Sequence, residues 1–125
     1  MFIILLLLFV AKHALADWFL QPTEMSQGKR LKSFAGTQYL LNHALIHGGW
    51  TMLVVGLYGI ITQSIDIVLL SILFGWADYF LHASIDSLKI WAENKSLTND
   101  IFRTVGDQFL HGLCYLIYIL ILLSI

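Results

Sequence analysis

The 125-residue sequence has one proline, one cysteine and little charge, with Asp, Glu, Lys and Arg together at 12%. A single cysteine, Cys114, excludes a disulfide framework, and its apolar surroundings read as those of a core thiol. A single proline, Pro22, leaves every later apolar segment unbroken. The formal net charge of -1, without a long basic run, gives no footing for nucleic acid. Charged residues usually make up about 25% of a soluble domain, so this chain has roughly half that share. Hydrophobic residues fill the difference at 58%, and the mean hydropathy is +0.79. A soluble fold of this size cannot hide so much apolar surface, which places the chain in a bilayer as one integral membrane domain over 1–125.

A membrane-spanning helix needs about 20 mostly apolar residues. Four segments qualify, about 2–21, 38–60, 65–90 and 101–125. They predict an all-α protein, a bundle of four transmembrane helices. Pro22 closes the first segment, and 22–37 and 91–100 are polar loops. Thr98, Asn99 and Asp100 are candidate N-caps for the last helix. Basic residues orient the bundle. Lys29, Arg30 and Lys32 lie in the first loop and Lys89, Lys95 and Arg103 near the third, while the connection between the second and third helices has none. The positive-inside rule then puts both basic loops in the cytoplasm and both termini on the other side, in a bacterial inner membrane.

The stretch from Phe2 to Ala16 also resembles a secretory signal ending in small residues. Two features argue that it is retained. No basic residue precedes the apolar run, since Lys12 follows it. In addition, His13 and Asp17 join a pattern that recurs in every span. His43 and His47 lie near the start of the second, Asp78, His82 and Asp86 near the end of the third, and Asp107 and His111 near the start of the fourth. All five histidines have a His or Asp four residues away. That spacing puts both side chains on one helix face, one turn apart, where they can grip one metal ion.

Depth agrees with spacing. At about 1.5 Å per residue, the pairs on all four helices lie roughly 6–15 Å above the cytoplasmic end. A lone His in a membrane helix is commonly interhelical hydrogen-bond glue. Several depth-matched carboxylates are another matter, because each unpaired Asp costs about 2.5–3.5 kcal/mol near mid-bilayer. A shared cation offsets those costs together. Imidazole plus carboxylate without thiolate suits a divalent transition metal, zinc foremost, as one or two ions. His13, Asp17, His82, Asp86, Asp107 and His111 are expected to touch the ion directly. His43 and His47 either ligate a second ion or support the first set. Asp78 and Asp107 are candidate general bases. Lys12 and Lys89 either neutralise carboxylates or bind an anionic substrate, with Lys89 a candidate catalytic residue, or else both snorkel or pair with Asp. Asn42, Gln21 and Gln108 accompany the pairs, and Gly48 and Gly49 beside His47 permit close helix approach.

The elements KHALADWFLQ, LLNHALIHG, HASIDSLK and DQFLHG resemble those of an uncharacterised family of small membrane proteins of bacteria and their phages. The resemblance covers nearly the whole chain. It implies that His13, Asp17, Gln21, His43, His82, Asp86, Lys89, Asp107, Gln108 and His111 are family-type positions. More distantly, the chain is similar to membrane-bound metal-dependent hydrolases. Three functions compete: a metal-dependent hydrolase acting on a membrane lipid or lipid-linked substrate, an ion or proton conduit, and a regulator whose metal or His/Asp network only staples the helices. A conduit needs a polar path across the bilayer, and the outer halves of the spans offer none. Homo-oligomerisation is left open.

Overall fold

The structure is a computed structural model and describes residues 1–97 and 99–125. Thr98, one of the three candidate caps, lies outside the described residues. The described residues form five helices: α1 (Phe2–Trp18), α2 (Thr23–Gly28), α3 (Phe34–Ile61), α4 (Ile65–Lys95) and α5 (Asp100–Ser124).

Local chemistry sets the ends. The amides of Phe19 and Leu20 both turn back to the Leu15 carbonyl at 3.0 and 3.1 Å, and Pro22 cannot continue a helix. It caps α2 instead, a short helix inside what reads from sequence as plain loop. Ser33 caps α3 by accepting from the Gly36 amide, Ser64 caps α4 by accepting from Ile67, and Asn99 caps α5 by accepting from Phe102. Of the two expected caps among the described residues, Asn99 bonds, while Asp100 is the first helical residue. α4 runs past residue 90 to Lys95 and stops at Ser96, whose left-handed backbone turns its own amide to Glu93 and that of Leu97 to Ala92.

Among the described residues three helices, not four, are long and apolar enough to cross a membrane: Phe34–Ile61, Ile65–Asn94 and Asp100–Ser124. α1 has 17 residues, about 25 Å of rise, because it ends at Trp18 rather than at 21. It still completes a four-helix ring, packing on α3 and α5, while α4 packs on α3 and α5 from the other side.

The distribution of side chains is inverted relative to a soluble bundle. Large apolar residues such as Ile3, Leu7, Ile60, Leu73, Phe80 and Ile117 face outward. Lys12, Asp78 and all five histidines are buried. Soluble proteins almost never bury Lys or Asp while exposing so much apolar surface. Lipid as the surrounding medium resolves the inversion, and the three long apolar helices point to an integral membrane protein.

The bundle has two halves. One is an apolar core around Leu5, Phe9, Val55, Phe74, Tyr118, Ile119 and Leu122, against which Cys114 packs half-buried. The other, at the end where α2 sits, holds the polar residues. α3 and α4 come close between them: a Cβ on Gly48 would lie 2.6 Å from the Gly75 carbonyl oxygen. Gly49, expected to share this role, would meet nothing within 4 Å and faces away.

Candidate metal centre

Each long helix delivers its ionisable residues to one point. α1 brings His13 and Asp17, α3 brings His43 and His47, α4 brings His82 and Asp86, and α5 brings Asp107 and His111. The five imidazoles form a tight cluster. The rings of His47 and His82 stack with centroids 3.6 Å apart, and those of His82 and His111 at 4.2 Å. His43 lies 4.6 Å from His47, and His13 lies 5.0 Å from His47 and 4.9 Å from His111.

Three carboxylates face the Nε2 atoms of these rings. Asp17 Oδ1 is 3.1 Å from His47 and 3.3 Å from His43, and its Oδ2 is 3.3 Å from His13. Asp86 lies between helices, with Oδ2 3.8 Å from His43 and 4.0 Å from His82 and Oδ1 3.9 Å from His111. Asp107 Oδ1 is 3.5 Å from His111.

Hydrogen bonding does not account for all of these groups. Neither ring nitrogen of His82 has a hydrogen-bond partner, although the residue is 1% exposed. His43 Nδ1, His47 Nδ1, His13 Nε2 and Asp107 Oδ1 are also buried without one. Buried polar atoms are normally satisfied, so such a concentration needs a cause. A cation fits it. Ligand atoms about 2.0–2.2 Å from a tetrahedral ion stand roughly 3.3–3.6 Å apart. The Asp17–His43 and Asp107–His111 separations of 3.3 and 3.5 Å match that edge.

Three sets of ligand atoms lie close enough to hold an ion: Asp17 with His43, His47 and His82; His13 with His82 and His111; and Asp86 with Asp107 and His111. All eight residues singled out from sequence as ligands are in these sets. The grouping differs from expectation, since His43 and His47 share the four-ligand set with Asp17 and His82, while His13 stands in another.

The remaining candidates are placed differently. Asp78 belongs to none of the three sets. Its Oδ2 accepts from Lys12 Nζ at 2.6 Å and from Thr51 Oγ1 at 2.6 Å, one turn deeper than His82. An oxygen already taken by an ammonium group is a poor base, so the geometry gives Asp78 the task of holding Lys12. Lys89 donates to Asp107 Oδ2 at 2.9 Å, and Gln108 donates to the same oxygen at 3.2 Å. Asn42 points outward and takes no part.

Sequence reasoning missed three partners. Lys29, read only as a loop charge, donates to Asp86 Oδ2 at 2.7 Å because α2 carries the first loop back over the site. Tyr115, one turn beyond His111, has its hydroxyl 2.9 Å from His13 Nδ1. Thr51 is the third. The i+4 continuation of the pattern, from His47 to Thr51 and from His111 to Tyr115, was a signal available for the last two.

No curated protein and no solved structure matches the chain. Residues 3–125 match the family described as "Protein of unknown function (DUF3307)", and the chain belongs to that family.

Proposed function

We propose that the protein is a membrane-embedded metal-dependent hydrolase, acting on a lipid or lipid-linked substrate near the cytoplasmic leaflet of a bacterial inner membrane. One observation carries the metal reading: His82 is fully buried at the junction of two ligand sets with both ring nitrogens unpartnered. The ligand chemistry supports zinc, and two sets share no residue. Asp17, His43, His47 and His82 supply four ligands, the number of a closed site. Asp86, Asp107 and His111 supply three, the number that leaves a position open in catalytic sites. All three line a polar cavity at the α2 end of the bundle. A divalent ion there supplies a water acidified toward neutrality and a Lewis acid for an ester, amide or phosphoester. Lys89, also on that cavity, is placed to orient an anionic group.

The competing reading is a staple: a metal or His/Asp network that only holds the helices together. The cavity beside the three-ligand set favours the hydrolase, since a staple needs no open position. Metal analysis of the full chain, purified in detergent without chelator, tests the metal reading. Bound zinc is expected, and His82→Ala is expected to lower both metal content and stability, the latter by about 2–4 kcal/mol from lost packing and stranded carboxylates. A metal-free wild type, or a His82→Ala chain with full metal content and unchanged unfolding temperature, would overturn it. Metal bound by the wild type and lost in His82→Ala, with no hydrolysis of lipid esters or phosphoesters by the loaded wild type, would leave the staple.

A further inference from the structure

Two cavities of opposite character meet at the candidate ion site. One, of about 460 Å³, lies between α1 and α5. Val10, Ala14, Trp18, Gly112 and Tyr115 give it mostly apolar walls, and His13, Asp17 and His111 also line it. The other, of about 220 Å³, lies at the α2 end and has mostly polar walls that include Lys29, Arg30 and Lys89. Asp17, Trp18, Gln108 and His111 line both, so the two lie side by side against the ligands.

We propose that this two-armed site takes one anionic phospholipid, its acyl chain between α1 and α5 and its phosphate among Lys29, Arg30 and Lys89. The inference names the substrate class for the reading above and rests on it for the ion. The apolar arm argues for a lipid over a soluble anion, which would gain nothing from it. This arm also continues to the lipid-facing surface: a Cβ on Gly112 would meet nothing within 4 Å. Charge complementarity argues for the phosphate. Lys29 and Lys89 spend their charge on Asp86 and Asp107, at 2.7 and 2.9 Å, and Arg30 stands 3.4 Å from Glu93. A divalent ion on Asp86 and Asp107 takes over that role, and the cavity is left with surplus positive charge that an anion balances. Head and tail so placed bring the ester and phosphoester linkages of the lipid to the boundary at His111 and Asp17.

The test is photo-cross-linking of the full chain in phosphatidylcholine nanodiscs containing phosphatidic acid with a diazirine on its acyl chain. Cross-links are expected on α1 and α5 around Val10, Ala14 and Gly112. Filling the cleft with Gly112→Phe, or from the opposite wall with Ala14→Phe, should abolish them. Gly49→Phe, at an equally open glycine on α3 that does not line this cleft, should not. Arg30→Gln should reduce labelling by phosphatidic acid, and a phosphatidylcholine probe should label the cleft less. Excess inorganic phosphate should fail to displace the lipid. Uniform labelling of all outward helix faces, equal labelling by both probes, or displacement by phosphate with Gly112→Phe silent would each overturn the proposal. Thermal unfolding reports folding of the variants, and metal content measured on the same samples separates the two readings. Bound metal without cleft cross-links defeats the lipid site alone, and cleft cross-links without metal defeat the ion alone.

Discussion

Lys12 is 2% exposed inside four helices, and its ammonium group is fully engaged. It donates to Asp78 at 2.6 Å, lies 3.4 Å from the His47 carbonyl and sits 4.4 Å above the Tyr115 ring. Asp78→Asn would leave that charge unbalanced in the core. A loss of about 3–5 kcal/mol is expected, because removing one partner of a buried pair strands the other. The double replacement Lys12→Met with Asp78→Leu should recover most of it, since an apolar pair of similar volume carries no desolvation cost. Thermal unfolding in detergent measures both, and metal content should stay unchanged in each. A drop in metal content would place Asp78 in the ion site after all. The Tyr115 hydroxyl lies 2.9 Å from His13 Nδ1. An ion on Nε2 requires the proton on Nδ1, which then donates to the Tyr115 oxygen and fixes the tautomer. Tyr115→Phe removes that acceptor and should weaken metal affinity by roughly 10–100-fold with little loss of packing. Chelator competition reads this directly, and unchanged affinity would show that His13 is not a ligand.

The elements bring the site together because α3 and α4 touch backbone to backbone. A Cβ on Gly48 would clash with the Gly75 carbonyl, and one on Gly75 would lie 2.9 Å from the Gly48 carbonyl. Neither backbone can give way without moving His47 against His82, whose rings stack at 3.6 Å. Gly48→Ala should therefore cost about 1–3 kcal/mol by overpacking and lower metal content, whereas Gly49→Ala should do neither. Thermal unfolding and metal analysis of the pair decide it, and equal behaviour of the two variants would refute the close crossing as the cause. Spacing explains why so much of the site was legible. Residues four apart share a helix face whatever their neighbours do, so His13–Asp17, His43–His47, His82–Asp86 and Asp107–His111 could be matched by register alone. Contacts that depend on tertiary path could not. Lys29 reaches Asp86 only because α2 folds the loop over the bundle, and the length of α1 depends on how Phe19 and Leu20 turn back to Leu15. Gly48 and Gly49 are neighbours in sequence, and only the crossing angle determines which one meets α4.

At the scale of the molecule, polarity is divided between the two ends of the bundle. Of seven Lys and Arg, Lys12 is in the core, and Lys29, Arg30, Lys32, Lys89, Lys95 and Arg103 all fall at the end that holds α2. The opposite end carries the Thr62–Ser64 connection, which has no basic residue. Ion pairs absorb part of this charge, as Lys29 with Asp86, Lys89 with Asp107, Arg30 with Glu93 and Arg103 with Asp100. Translocation is decided before such pairs form, and it responds to Lys and Arg with little contribution from Asp and Glu. The basic end should therefore be cytoplasmic, with both termini and the Thr62–Ser64 connection outside. Single cysteines in a Cys114→Ser background test this with an impermeant maleimide. Gln63→Cys, in the short connection, should react in cells whose inner membrane is intact. Gln27→Cys, exposed on α2, should react only after that membrane is opened. The reverse pattern would place the polar cavity and the three-ligand set on the outer side. The phosphate of any lipid bound there would then belong to the outer leaflet, and a substrate supplied from the cytoplasm could no longer reach the site.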